Sequence, residues 1–317
     1  MNTYPSATAG SPQHRMFAIE YHCQSCRRQH QGRFFKQPDQ QDIARYAAAV
    51  RILDTLEIHF IPDDVIPRGD ETDRLHRWGY QRYREMFNAR QLLGLELSSQ
   101  AITRINDEPV RYALATNLSD LLRYQNMLCR YDTMALKSLD IFSVHGFPVG
   151  LVQCESNMLG LMHHITGANI GSGGWQNIIE KYHKAKIYCE QPFEVSLHGK
   201  RKVQVPIAGE WIGTCRTHRG HREHRKMTLY CDSATIAHLA PASLDAVLTD
   251  PPYFGNVQYA ELMDFCYVWL RRLLQSTVAA FQAPSTRHAQ ELTGNSTMER
   301  GLSHFTGGLS EVFCRRL

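Results

Sequence analysis

A chain of 317 residues with 43% apolar side chains is long enough to bury a sizeable core in about one to three domains. Its net charge of only +4 means that nucleic-acid binding must be argued from local patches, and no apolar run approaches the roughly 20 residues that cross a bilayer. Met1–Arg15 is polar, with no apolar signal region, and nine cysteines without regular spacing exclude a secreted disulfide framework, so a soluble cytoplasmic protein with reduced thiols is expected.

In chain order, the first chemical signal is Cys23-Gln24-Ser25-Cys26. Structural zinc takes four ligands, usually as two close pairs, so this spacing makes half a site with Cys23 and Cys26 as ligands. No second Cys-x-x-Cys follows. Cys215 and His218 have pair spacing but lie far downstream, and His22 and His30 are less regular.

Residues 39–56 repeat apolar side chains at helical spacing through Ile43, Ala47, Val50 and Leu53, before Pro62 and Pro67 break the pattern. Residues 78–95 and 118–131 read as helical again. Between Arg74 and Arg90, Arg74, Arg77, Arg82, Arg84 and Arg90 interleave with Trp78, Tyr80, Tyr83 and Phe87. That alternation suits contact with a single nucleic-acid strand, and a helix packed on its aromatic side explains it equally well. Thr166–Trp175 is a glycine-rich turn leading into a helical pattern over 176–184, a place where an anion could bind. The preceding 160–165 makes a poor buried strand, which favours a surface loop. Residues 181–206 turn to alternating Val, Ile and Tyr around Gly199-Lys200, the signature of a short hairpin. Arg216–Lys226 holds five Lys/Arg and three His, either a phosphate-binding patch or a solvated loop.

Met227–Ser233 is a short strand-like run ending in Asp232. Residues 234–240 can cross back as a helix, and Leu244–Thr249 reads as a second buried strand. It stops at Asp250-Pro251-Pro252-Tyr253. Two prolines fix φ and offer no N–H, so the loop is stiff and its carbonyls stay free to accept. A carboxylate, free carbonyls and an aromatic face suit a planar substrate carrying an amino group. Residues 258–274 are amphipathic, with Leu262, Cys266, Trp269 and Leu273 on one face. A polar stretch over 275–306 follows, and a new helix starts near Gly308.

Asp250-Pro251-Pro252-Tyr253 resembles the catalytic motif of the amino-methyltransferases of DNA. The longer string from Asp250 to Leu274, through Asn256-Val257-Gln258-Tyr259-Ala260-Glu261-Leu262-Met263-Asp264-Phe265, resembles the large adenine-specific DNA methylases that carry a zinc ribbon and an N-terminal domain of unknown function. The resemblance extends upstream through Gly32–Lys36, Ile61–Asp64 and Phe87–Leu92. It implies DNA as substrate, S-adenosylmethionine as methyl donor, zinc as a further cofactor, and Asp250, Pro251, Pro252 and Tyr253 as catalytic residues. It also places Asp232 and Asp250 near the cofactor. Where the family often has Gly-Asp, this chain has Cys231-Asp232, and Asp232 could instead N-cap a helix starting at Ser233.

The implied fold is α/β. A remnant zinc-ribbon-like segment (1–38) and a mainly helical insertion or recognition domain (39–210) precede a partial Rossmann-like methyltransferase core (211–317). The family's glycine-rich cofactor turn has no counterpart here, nor do strands that would close the sheet. The chain is therefore expected to be a fragment, with a second polypeptide supplying the missing cofactor loop. Two other classes stay open: a non-catalytic DNA-binding or partner subunit, and a different α/β enzyme using Asp250 as an ordinary acid or metal ligand.

Overall fold

A computed structural model describes residues 10–23, 25, 32–163, 165–207, 215–218, 221–224, 228–235, 240 and 242–314. In order these form β1 (Ile19–His22), β2 (Arg33–Lys36), α1 (Gln40–Thr55), α2 (Thr72–Arg77), α3 (Ala89–Thr103), α4 (Glu108–Leu122), β3 (Tyr131–Asp132), β4 (Lys137–Ser138), β5 (Leu161–Met162) and β6 (Asn169–Ile170). There follow α5 (Trp175–Glu190), β7 (Phe193–His198), β8 (Arg201–Pro206), β9 (Cys215–His218), β10 (His221–His224), α6 (Tyr259–Leu274) and α7 (Leu302–Cys314).

Three of the longer helices, α1, α3 and α4, begin where the sequence supplies side-chain caps. Asp39 accepts the N–H groups of Gln41 and Asp42 at 2.9 and 3.0 Å, while Asp42 reaches back to the Asp39 N–H, a reciprocal capping box that opens α1. Asn88 and Gln91 repeat the device at α3, and Asp107 caps α4 ahead of its early proline. α1 thus occupies the span that periodicity predicts. The expected helix over 78–95 starts only at Ala89, because Gly79 turns the chain at φ +86° and a single 3₁₀ turn fills Tyr83–Met86. α4 starts well before the predicted 118 and stops at Leu122, where the buried Asn126 side chain takes over by donating to the Leu122 carbonyl.

The ammonium of Lys36, 2.6 Å from Asp39, and the α1 N–H groups hold the Asp39 carboxyl at about 2. A carboxyl lowered on folding stabilises the native state above its ordinary value and loses that contribution as pH falls through the folded value. Stability is therefore expected to decline between about pH 4 and about pH 2 through this group. Urea midpoints measured across that window should fall less steeply in Asp39→Asn than in the parent chain.

One aromatic and aliphatic core joins the helices. Phe265 of α6 stacks on Phe87 at 5.6 Å with rings 2° from parallel, and meets Phe142 and Phe147 edge-on at 6.0 and 6.3 Å. Trp269, one turn on, closes against Phe87 at 5.2 Å. Leu95 of α3 and Leu118 and Leu121 of α4 are buried in the same cluster. α6, the helix that directly follows the Asp-Pro-Pro-Tyr motif, is thus a central element of the helical body.

The architecture is mixed and mostly helical, with five two-stranded antiparallel sheets among the described residues: β1–β2, β3–β4, β5–β6, β7–β8 and β9–β10. The β7–β8 hairpin turns at Gly199-Lys200 as predicted, with Gly199 at φ +64°. The expected partial Rossmann-like core is a different matter. Among the described residues no strand is parallel to another, and neither 228–233 nor 244–249 forms a strand. A parallel strand needs hydrogen-bonding neighbours and a helix on each face. Among the described residues neither is present at 244–249, and Leu248 is 98% exposed. The crossover helix expected over 234–240 lies largely outside the described residues, apart from a turn at Ala234-Thr235. Among the described residues no helix is long and apolar enough to cross a membrane.

Candidate functional site

Asp250, Pro251, Pro252 and Tyr253 lie on an irregular stretch between the exposed run 242–249 and α6. Asp250 is exposed, and its carboxylate accepts no hydrogen bond from the described residues. The Tyr253 ring is 61% exposed, and its backbone N–H points to the Tyr259 hydroxyl at 3.4 Å. Both side chains are open to a ligand. Phe254-Gly255-Asn256 then turns the chain into α6, with Gly255 at φ +68°, a conformation that a side chain disfavours. Phe254 packs 5.3 Å from Phe305 of α7 and against Gly294, where a Cβ would collide with its ring.

What holds this stretch is the polar side of α6. Glu261, 2% exposed, accepts the N–H groups of Asp70, Glu71 and Thr72 at 3.1, 2.9 and 2.9 Å and the Asn295 side-chain amide at 2.7 Å. Asp264, one turn further, takes the Ser285 and Thr286 hydroxyls at 2.7 and 2.8 Å and the Thr286 N–H at 2.7 Å, with Arg287 Nε at 3.4 Å. Gln258 donates to the Gly294 carbonyl at 2.7 Å and accepts from Asn295 at 2.9 Å. Within the resembling string, these acids are thus explained by structure: they tie α6 to the start of α2 and to the 285–295 segment.

The 294–301 segment is itself clamped. Asn295 and Arg300 exchange two backbone hydrogen bonds of 2.9 Å. Asp70 accepts the N–H and hydroxyl groups of Ser296 and Thr297 at 2.7 to 3.1 Å. Partial burial alone would raise the Asp70 carboxyl, but these four bonds outweigh it and hold the group below its ordinary value. Between this loop and Phe254-Gly255 lies an open cleft of about 420 Å³.

The other sequence expectations fall out differently. Asp232 sits on the exposed 228–235 stretch, where its carboxylate accepts its neighbour's N–H, Ser233, at 2.8 Å. It does not end a paired strand beside Asp250, because neither run is in a sheet. Cys23 follows β1 half-buried, with its thiol 3.0 Å from the Ser25 hydroxyl. Cys26 lies outside the described residues, as does His30. Among the described residues no group of three or more His, Cys, Asp or Glu could hold a metal ion, so they do not fit a complete zinc site.

The aromatic and basic patch over Arg74–Arg90 resolves in favour of packing. Tyr80, Tyr83 and Phe87 are buried, while Arg82 bonds Asp63 at 3.0 Å and Arg90 grips Glu155 through two nitrogens at 2.7 and 2.8 Å. Its rings are core, not a stacking platform. Of the basic patch, residues 216–218 and 221–224 fall on β9 and β10, whose side chains lie outside the description, and the rest lies outside the described residues. The glycine-rich stretch forms the β5–β6 turn and the entry to α5, with Gly174 as N-cap. A second cleft of about 450 Å³ lies there, but its Lys181 and Lys184 are already bonded to Asp120 and Glu180.

Sequence reasoning missed the 294–301 loop, read only as part of a polar stretch. The available signal was a pair of acids, Glu261 and Asp264, set three apart in an amphipathic helix, which required polar partners elsewhere in the chain. No protein-family model matches the chain, and comparisons with curated proteins and with solved structures return no match.

Proposed function

We propose that this chain is the target-base-binding part of an adenine-specific DNA methyltransferase that uses S-adenosylmethionine. The observation that carries the reading is the state of the motif: Asp250 and Tyr253 are open to solvent and free to meet a ligand, while the helix behind them is anchored in the core. An exocyclic adenine nitrogen is a poor nucleophile because its lone pair is delocalised into the ring. Asp250 and the Pro251 carbonyl accept its two hydrogens and favour a tetrahedral nitrogen. Pro252 stiffens the loop, and Tyr253 stacks on the base once it has left the duplex. The donor supplies a methyl group on a sulfonium. As the N–C bond forms the S–C bond breaks, a neutral thioether leaves, and one amino proton passes toward the Asp250 carboxylate. Positioning and electrostatics provide most of the acceleration.

In this reading a second polypeptide that pairs with Leu244–Thr249 would complete a Rossmann-like sheet and raise a basal activity that the chain has by itself. The exposed Leu244, Val247 and Leu248 side chains support that need for a cover. The lack of a counterpart to the resembled family's glycine-rich cofactor turn favours a second reading, a DNA-binding subunit without catalysis. Expression in cells free of DNA adenine methylation separates the two. Digestion of the DNA and mass spectrometry should detect N6-methyl-2′-deoxyadenosine under the first reading, and none under the second.

A further inference from the structure

The β7–β8 hairpin carries apolar side chains that the rest of the described chain leaves uncovered. Phe193 meets Tyr188 of α5 edge-on at 5.3 Å, but Val195 and Leu197 are 57% and 67% exposed, and Val203 and Val205 on β8 are exposed as well. A lone two-stranded hairpin is marginal in water and gains from further strands. Its two edges are chemically unequal. Ile207 donates to the Pro192 carbonyl at 2.9 Å, so those two residues form a hydrogen-bonded pair. Such pairs alternate along an antiparallel ladder, here with Glu194 opposite Val205, Ser196 opposite Val203 and His198 opposite Arg201. The N–H and C=O groups of Phe193, Val195 and Leu197 therefore point away from β8 and have no partner among the described residues. On the opposite edge the outward residues are Lys202, Gln204 and Pro206. Lysine and proline blunt that edge, and proline has no N–H to give. The β7 edge carries neither.

We propose that the β7 edge pairs with the β7 edge of a second copy of this chain, antiparallel about a two-fold axis, to make a four-stranded sheet. Centring the axis on Ser196 brings Val195 against Leu197 of the second copy, where the two exchange backbone hydrogen bonds through their outward groups. The same register sets Glu194 opposite His198 of the second copy, with the Arg201 of that copy beside it on the same face. Centring on Glu194 would instead oppose two carboxylates. The strand is thus its own complement: an acid stands toward the hairpin base, His198, Lys200, Arg201 and Lys202 stand at the tip, and the two-fold axis brings one end to the other. A polyanion would use only the tip and leave the outward donors of β7 unmet. The inference stands apart from the methyltransferase reading and uses none of its residues.

Sedimentation of the full chain across about 1–100 μM tests the pairing, because a small interface is half-associated in that range. The parent should pass from monomer to dimer as concentration rises. Val195→Pro removes an outward N–H and puts a ring on the pairing edge, so it should stay monomeric. Gln204→Pro makes the same change on the opposite edge and should dimerise as the parent does. Glu194→Lys should weaken association about tenfold, since the charge pair occurs twice across the axis. Adding His198→Glu to Glu194→Lys should restore it. These two substitutions leave the backbone donors intact, so they decide the matter even where a proline disturbs the hairpin. A parent that stays monomeric throughout the range overturns the proposal. So does a dimer that survives Val195→Pro, or one that His198→Glu fails to restore. A monomeric parent whose affinity for a DNA duplex falls in Lys200→Ala would give the hairpin to nucleic acid and overturn it as well.

Discussion

Replacing Glu261 with alanine is expected to destabilise the protein by at least about 3 kcal/mol, since each buried donor left unsatisfied costs on the order of 1–3 kcal/mol. Three consecutive N–H groups, of Asp70, Glu71 and Thr72, and the Asn295 amide all converge on that one carboxylate. Glu261 is 2% exposed, and truncating it leaves these donors facing a small polar gap. Against a typical domain stability of about 5–15 kcal/mol, the loss is a large share. Glu261→Gln keeps the shape but turns one acceptor oxygen into a donor facing donors, so it should still lower the urea midpoint. Glu96 holds the N–H groups of His59, Phe60 and Ile61 at 2.9 Å in the same manner, so the chain uses this device twice. A midpoint in Glu261→Ala equal to that of the parent would remove the claim that α6 is the anchor of the motif.

That anchoring marks the boundary of what could be read from the residues. Local signals were legible: the helical spacing of 39–56, the Gly199-Lys200 turn and the amphipathic face of 258–274 each specify a short stretch through its own chemistry, and each appears where expected. Long-range polar pairing was not. Nothing near Glu261 in sequence indicates that its partners lie at Asp70–Thr72, about 190 positions away. The strand-like character of Leu244–Thr249 was also legible, but a parallel strand is completed only by neighbours, and the pattern of one run cannot report whether neighbours exist. Trp78 to Phe87 illustrates a third case. Rings and arginines alternate in the same way on a nucleic-acid surface and on a packed turn, and burial of Tyr80, Tyr83 and Phe87 decides between them. For the candidate site, the motif was visible at once, while the cleft next to it depends on a loop some 40 residues downstream that long-range bonds to Asp70, Gln258 and Glu261 place.

The second large effect is expected at Asp250. Its carboxylate is exposed and unbonded, so Asp250→Ala should leave the unfolding midpoint within about 0.5 kcal/mol of the parent. Its proposed work is done only on the amino group of the substrate, where removing one preorganised hydrogen-bonding group typically costs about 10²–10³ in rate. Tyr253→Ala should act differently. Stacking contributes about 1–3 kcal/mol per base, so its loss weakens DNA binding more than it slows bound substrate.

The most direct test is therefore transfer of a labelled methyl group from S-adenosylmethionine to the adenine amino group of DNA, measured in parallel for the parent chain and Asp250→Ala. The account predicts N6-methyladenine from the parent and a rate at least about 10²-fold lower in the folded variant. Equal transfer by both proteins would contradict it, as would label appearing on any atom other than the adenine amino nitrogen.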